Sequence, residues 1–216
     1  MKASERDLAD QACAALQAGR LTPSSFRRSL TRVEAHTRDA WLDLVLGLEP
    51  PPPDGPSLPR GCVPYLPSSV EVLLRASDLV GLGPEDVFVD VGSGAGRALA
   101  AIHLLTGARV VGLEIQPELV QSSRELMARL GITNYEIAQG DCLELIGLIP
   151  QAAVLLLYCP FAFDKLNRFL DRLEERARSS ELRLCCVDVP PISRSWLERA
   201  EVKAGDLTIY RSKLHR

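Results

Sequence analysis

Between residues 69 and 187, short apolar runs alternate with longer amphipathic stretches, and this alternation constrains the fold more than any other feature of the chain. Strands that are joined through helices pair in parallel, and the helices then cover both faces of the sheet. The pattern predicts strands over 87–91, 108–114, 135–138, 154–158 and 182–187. It predicts helices over 69–79, 95–105, 117–130 and 164–177.

The end of the chain departs from this alternation. Segments 199–203 and 207–213 flank Ala204-Gly205-Asp206, which predicts an antiparallel hairpin. We therefore expect an α/β fold with a Rossmann-like, doubly wound, seven-stranded sheet, mostly parallel, whose last strand is antiparallel.

The segment before residue 49 predicts two further helices. One opens at Ser4 with capping-box spacing, and the other starts at Thr22-Pro23 and runs toward Leu48. Six of the fifteen prolines then lie within 49–59, where they exclude a helix interior or a central strand. We expect a helical appendage over 1–48, a proline-rich linker over 49–60 and the main domain over 61–216. The appendage serves packing alone, covers the site, docks on the sheet edge or forms a dimer contact.

Charge and hydropathy exclude several classes of protein. The 25 basic residues are dispersed among 28 acidic ones, so nothing indicates a nucleic-acid partner. Apolar runs are too short for a membrane span, and the polar start MKASERDLAD favours a cytoplasmic protein without a membrane partner. The six cysteines show neither a C-x-x-C pair nor metal-ligand spacing, which predicts reduced thiols and no metal. The oligomeric state stays open.

The stretch VFVDVGSGAGR, residues 87–97, places a glycine loop directly after the first predicted strand. In an open parallel sheet the ligand crevice lies at this end of the strands. A dinucleotide loop needs its third glycine at position 97, which is Arg97, and no Lys-Ser or Lys-Thr pair follows to form a phosphate loop. The spacing therefore favours a loop that admits the adenosyl or methionyl group of S-adenosylmethionine. The loop residues predicted to contact it are Gly92, Ser93, Gly94 and Gly96.

Three acids lie at the ends of three successive predicted strands. Asp90 suits the methionyl ammonium, or else amides of its own loop. Glu114 suits both ribose hydroxyls, worth about 1.5 to 3 kcal/mol of binding, or else caps the next helix. Asp141 can accept from the adenine amino group while the amide of Cys142 donates to the ring. Their occurrence beside one glycine loop favours S-adenosylmethionine as the cofactor.

With these motifs, residues 62–213 resemble the class I S-adenosylmethionine-dependent methyltransferases. Residues 65–190 resemble more narrowly the core of the disruptor-of-telomeric-silencing histone-lysine methyltransferases, which lack a SET domain. The shared segments are Tyr65-Leu66-Pro67-Ser68, VDVGSGAG, Val111-Gly112-Leu113-Glu114, Gly140-Asp141 and Pro160-Phe161-Ala162-Phe163. Cys159-Pro160 replaces two asparagines of those enzymes, and Pro67 replaces an acid.

The resemblance implies methyl transfer from S-adenosylmethionine to a small-molecule or protein side-chain acceptor. It implies that Tyr65 contacts the methionyl group and that residues 158–161 shape the acceptor pocket. Tyr65, Tyr158 and Cys159 are the candidate catalytic residues, and both tyrosines also count among the cofactor contacts. An acceptor that loses a proton would give it to Tyr158, Tyr65 or solvent. Two rival hypotheses are a non-catalytic cofactor-binding partner subunit and a nicotinamide-dependent oxidoreductase.

Overall fold

A seven-stranded sheet forms the centre of the molecule in the computed structural model, which describes residues 1–51, 58, 62–200 and 206–213. The strands are β1 (Val87–Val91), β2 (Arg109–Glu114), β3 (Tyr135–Gln139), β4 (Val154–Tyr158), β5 (Arg183–Val187), β6 (Leu197–Arg199) and β7 (Leu207–Ser212). Their order is β3-β2-β1-β4-β5-β7-β6. The first five are parallel, whereas β7 is antiparallel to both β5 and β6. The predicted fold class is confirmed.

Seven α-helices accompany the sheet in the described residues. They are α1 (Ala3–Gln17), α2 (Pro23–Arg32), α3 (Arg38–Leu46), α4 (Val70–Val80), α5 (Arg97–Thr106), α6 (Pro117–Arg129) and α7 (Phe163–Ala177). No helix in these ranges is long and apolar enough to cross a bilayer. The predicted strand at 199–203 is displaced, because β6 ends at Arg199, and residues 201–205 of that hairpin lie outside the described residues. Most of the proline-rich linker also lies outside them.

The prediction of one helix from Thr22 toward Leu48 is wrong in its middle. The helix does start as predicted, with Thr22 as N-cap, but α2 ends at Arg32 and a short 3-10 turn precedes α3. The buried carboxylate of Glu5 accepts from the amide of Glu34 at 3.0 Å and from the hydroxyl of Thr37 at 3.0 Å. These bonds satisfy polar groups that a helical break exposes, and they stabilise the turn.

The start of α1 also differs from the prediction. Ser4 lies inside the helix rather than at its N-cap, which is Lys2. The amide of Lys2 donates to the Glu5 carboxylate at 2.7 Å, so the same acid that stabilises the later turn closes this end of α1.

Apolar layers cover both faces of the sheet. On one face, Phe26 and Trp41 of the N-terminal helices share a buried cluster with Ile102 of α5 and Phe88 of β1. On the other face, Val89 and its neighbours pack with residues of α7. Phe88 and Val89 follow one another and face opposite layers, as the period-two geometry of a strand requires. The residues before the linker thus share a core with the sheet.

Arg97, the first residue of α5, joins the N-terminal helices to the sheet. Its side chain is only 6% exposed. Its Nε donates to Asp43 at 2.6 Å, and its Nη2 donates to Asp39 at 2.8 Å. The Nη1 atom donates to the carbonyl of Ser68 at 2.6 Å. Asp39 also accepts from the amide of Val70, at 2.9 Å. One guanidinium group therefore fixes α3, the segment before α4 and the start of α5 relative to one another.

We expect Arg97→Met to lower the free energy of unfolding by about 2 to 4 kcal/mol, because two carboxylates and a carbonyl lose their donor. Urea denaturation followed by circular dichroism measures the change. Arg109→Met is the matched control, since the Arg109–Glu136 pair is 39% and 42% exposed and should contribute less than about 1 kcal/mol. Equal losses for the two variants would contradict the role given to Arg97.

Candidate functional site

A cleft of about 680 Å³ opens at the carboxyl ends of the parallel strands. It lies where the strand order reverses, between the neighbouring strands β1 and β4. From β1 the chain continues to β2 on one side, and from β4 it continues to β5 on the other side. Ligands of open α/β sheets bind at this switch point. The strand ends and the residues just after them that line the cleft are Val91, Gly92, Leu113, Glu114, Gly140, Tyr158 and Cys159.

The three glycines of the loop after β1 have different neighbours. Gly92 lines the cleft. A Cβ on Gly94 would lie 2.0 Å from Cε2 of Tyr65, and a Cβ on Gly96 would lie 2.2 Å from Oγ of Ser123 in α6. All three have positive φ, at 85°, 53° and 82° in chain order. Gly94 and Gly96 therefore allow side chains of the protein to pack on the loop, whereas Gly92 presents bare main chain to the cleft.

Tyr65 forms one wall of the cleft and packs on Gly94. Burial raises the pKa of its hydroxyl to about 12, although Arg97 opposes the rise, and the carboxylates of Asp90 and Glu114 add to it. Its phenol is therefore neutral at physiological pH.

Asp90 is a buried acid, 4% exposed, in β1. Burial, followed by repulsion from Glu114, raises the pKa of its carboxyl to about 8. No group in the described part of the chain forms a hydrogen bond with it, so the amides of its own loop do not act as donors here. A cation or hydrogen-bond donor that enters beside such a buried carboxyl group stabilises it. The position therefore fits an ammonium group.

Glu114 ties the glycine loop to the loop that follows β2. One carboxylate oxygen accepts from the amide of Gly94 at 2.8 Å, and the other accepts from the amides of Ile115 and Gln116, each at 2.8 Å. A carboxylate has about four acceptor sites. Three are used, so about one remains for a hydroxyl of a ligand, where the sequence analysis expected Glu114 to serve two.

Asp141 follows β3 and pairs with a lysine that the sequence analysis did not single out. Its Oδ2 lies 2.9 Å from Nζ of Lys165, in the first turn of α7, and its Oδ1 accepts from the amide of Leu143 at 2.9 Å. Lys165 lies four residues before Phe169 and eight before Leu173, both buried. A lysine on the apolar stripe of an amphipathic helix is the signal that could have revealed it.

Of two other residues predicted to contact the cofactor, Cys142 lines the cleft and Ser93 does not. Cys142 lines the cleft, and burial raises the pKa of its thiol to about 12. Ser93 packs instead against Gly112 of β2, where a Cβ would lie 2.6 Å from the serine Oγ. That hydroxyl is buried without a partner among the described residues. Ser93 can reach a ligand only through its main chain.

The candidate catalytic residues Tyr158 and Cys159 lie at the end of β4. Cys159 has a left-handed φ of 42°, and its amide donates to the carbonyl of Val187 at 3.0 Å. Burial, and then Asp188, raise the pKa of Tyr158 above its usual range. Beyond them, Phe161 pairs with Cys62 in an isolated antiparallel bridge, which brings segment 62–66 over the cleft.

Comparison with known proteins is consistent with this geometry. A family model described as a methyltransferase domain matches residues 82–154. Protein-L-isoaspartate O-methyltransferase 2 of Anaeromyxobacter sp. (strain Fw109-5) is 39% identical over 108 residues, which is 50% of this chain and 41% of that protein. Ribosomal RNA small subunit methyltransferase A of Thermotoga petrophila is 36% identical over 83 residues, 38% of this chain and 30% of that protein. The chain thus spans less than half the length of these curated relatives.

A solved structure covers more of the chain. The crystal structure of an RNA methyltransferase from Salinibacter ruber, in complex with S-adenosyl-L-homocysteine, superposes with a TM-score of 0.52 at 27% identity. The match covers 68% of this chain and 92% of that one.

We expect Gly94→Ala to destabilise the protein by at least about 1 kcal/mol more than Gly131→Ala. Both glycines have positive φ, but a Cβ on Gly131 meets nothing within 4 Å, whereas one on Gly94 overlaps Tyr65. Gly131→Ala therefore costs only the backbone strain, about 1 kcal/mol.

Chemical denaturation of the two variants, and of Gly94→Ala combined with Tyr65→Ala, measures this overlap. The double variant should lose less stability than the sum of its two single changes. Strict additivity would show that the ring and the glycine do not restrict one another.

Proposed function

We infer that the chain, whose fold is that of the class I S-adenosylmethionine-dependent methyltransferases, binds S-adenosylmethionine in the cleft and is a methyltransferase. The observation that carries this conclusion is the buried carboxyl of Asp90, two residues before Gly92 of the cleft lining, which has no hydrogen-bond partner among the described residues. The methyltransferase-domain match, and the S-adenosylhomocysteine bound by the Salinibacter ruber relative, support it.

Three acids on successive strands suit three parts of the cofactor. Asp90 on β1 accepts the methionyl ammonium, and Glu114 on β2 accepts one ribose hydroxyl through its remaining site. Asp141, just after β3, accepts from the adenine amino group. Adjacent strands lie about 4.8 Å apart, so the acids form a row in the order of the cofactor's parts. Gly92 lets the ligand approach main chain without a side chain between them.

S-adenosylmethionine supplies a methyl group that its positive sulfur already activates, so the chain's residues act mainly by alignment and exclusion of water. Tyr65 and segment 62–66 cover the cofactor side of the cleft. Tyr158 to Phe161 shape the acceptor side. Both tyrosines have a raised pKa, so they donate hydrogen bonds rather than take the acceptor's proton.

The rival hypotheses make different use of the same residues. A nicotinamide-dependent oxidoreductase needs a glycine where Arg97 is buried among carboxylates, which disfavours it. A non-catalytic partner subunit would bind the cofactor equally well. It differs only in transferring no methyl group.

The acceptor we propose is a small molecule or a protein side chain. The likeness to the non-SET histone-lysine methyltransferases favours a protein, as does the name of the Anaeromyxobacter relative. Two relatives are RNA methyltransferases, so RNA belongs in the test as well, although the chain's charge pattern does not indicate it.

The test incubates the protein with S-adenosylmethionine labelled on its methyl group and with protein, RNA and metabolite fractions of a lysate. We expect label in the protein or metabolite fraction. Label in RNA would overturn the proposed acceptor and keep the activity. Cofactor binding without label in any fraction would favour the non-catalytic subunit.

Glu114→Gln should weaken S-adenosylhomocysteine binding about 10- to 100-fold, because an amide nitrogen would face one of the amides that now donate to the carboxylate. Glu118→Gln is the control, since Glu118 is an exposed acid four residues further on. Isothermal titration gives both affinities. A similar loss in the two variants would remove Glu114 from the site.

Binding of the cofactor at pH 7 should release about one proton through Asp90. Its free carboxyl, with a pKa of about 8, is mostly protonated at that pH, and an ammonium beside it favours the charged form. Affinity should rise from pH 6 to 7.5. Above about 8 the ligand's own α-amino group loses its proton.

Titrations in buffers of different ionisation enthalpy count the protons. Asp90→Asn should abolish the release and the rise in affinity. The same variant should remove a stability loss of the free protein between pH 4 and 8, where the folded chain holds a proton that the unfolded chain has lost. Proton release that persists in Asp90→Asn would assign it to another group.

A further inference from the structure

We propose that Lys165 reads the adenine ring, donating a hydrogen bond to a ring nitrogen while its partner Asp141 accepts from the exocyclic amino group. This inference rests on the proposed function and assigns to Lys165 a role in cofactor specificity.

The position of Lys165 costs free energy, because its ammonium group is largely removed from water and lies at the start of a helix. Its side chain is 10% exposed, and lysines are rarely buried unless they are paired. It also lies in the first turn of α7, where the helix dipole disfavours a cation. Lys165 nevertheless lines the cleft, together with Gly140 and Cys142 at the end of β3.

One N–H group of the Lys165 ammonium is not used by the hydrogen bonds within the described residues. A lysine offers three N–H groups. One is directed at Asp141 Oδ2, 2.9 Å away, and another at Sγ of Cys62, 3.4 Å away. The ring of Phe161 lies below, 5.9 Å from Nζ to the centroid. No third acceptor for Nζ occurs in the described ranges, so one N–H remains for a ligand in the cleft.

Asp141 supplies the complementary acceptor. Burial opposes its charge, but the amide of Leu143 and the ammonium of Lys165 outweigh burial and hold its pKa below the usual value. Burial also opposes the charge of Lys165, yet Asp141 raises the pKa of the lysine. Both groups are thus charged, and a strong donor lies directly beside a strong acceptor.

That pair matches the edge of adenine and not that of its deaminated analogue, hypoxanthine. Adenine presents an amino donor next to a ring-nitrogen acceptor. Hypoxanthine carries a carbonyl oxygen in place of the amino group, so this oxygen would face the Asp141 carboxylate. The site should therefore discriminate between the two bases.

Isothermal titration of the full chain with four ligands tests the assignment. They are S-adenosylhomocysteine, S-inosylhomocysteine and the 1-deaza and 7-deaza forms of S-adenosylhomocysteine. We expect the inosyl ligand, and one of the two deaza ligands, to bind the wild type at least about tenfold more weakly than S-adenosylhomocysteine.

Lys165→Met should bind S-adenosylhomocysteine about tenfold more weakly than the wild type does. The variant should bind the affected deaza ligand as tightly as it binds S-adenosylhomocysteine. The methionine keeps the apolar stem and removes the donor. Lys213→Met is the control for lost charge, because Lys213 is exposed just after β7, at the amino ends of the parallel strands, whereas the cleft lies at their carboxyl ends. It should leave all four affinities unchanged.

Wild-type protein that binds both deaza ligands as tightly as S-adenosylhomocysteine would overturn the proposal and leave the proposed function intact. So would a Lys165→Met variant that keeps the wild-type preference. If Lys165→Met does not fold, Lys165→Arg, which keeps the charge beside Asp141 but moves the donor, should show the same loss of preference. Absence of S-adenosylhomocysteine binding to the wild type would instead overturn the proposed function, and this inference with it.

Discussion

The contacts of the Arg97 guanidinium group determine where one wall of the cleft lies. Arg97 follows the glycine loop directly and begins α5, where a cation opposes the helix dipole. Its bonds to Asp39 and Asp43 of α3 offset that cost, and its bond to the carbonyl of Ser68 holds the segment that carries Tyr65. The ring of Tyr65 then packs on Gly94. The N-terminal helices therefore take part in shaping this wall of the cleft, although they contribute no residue to its lining.

In the absence of a ligand, two acids at neighbouring strand ends, Asp90 and Glu114, disfavour each other's negative charge. Asp90 and Glu114 lie close enough for Glu114 to raise the pKa of Asp90, and three backbone amides of the surrounding loops hold Glu114 in place. A neighbouring carboxylate and burial both favour the neutral Asp90, so the site is best satisfied when a cation enters. Strongly perturbed acids of this kind are typical of functional sites.

Local patterns predicted the parts of the fold that depend on local sequence. Strands β1 and β4 have the predicted bounds, because β4 is an apolar run of strand length and Asp90 alone interrupts the apolar run of β1. The break between α2 and α3 was missed because Glu5, from another helix, stabilises it. Lys165 was missed for a similar reason, since its partner Asp141 lies 24 residues earlier in the chain. The three strand-end acids could be recognised, but the acceptor capacity already used on Glu114 could not.

The ends of β1 to β3 and the loop after β4 differ in how closely their side chains indicate a ligand. Around the ends of β1, β2 and β3 lie charged groups for which a complementary ligand group can be proposed one by one. After β4 and β5, Cys159 and Asp188 are both left-handed, with φ of 42° and 50°, at a cost of about 1 to 3 kcal/mol each. Cys159 also precedes a proline, which disfavours helical backbone. Packing and the bond to Val187 therefore impose this loop shape. It sets the position of Tyr158 and Phe161 through the backbone, and a local sequence pattern does not encode this shape.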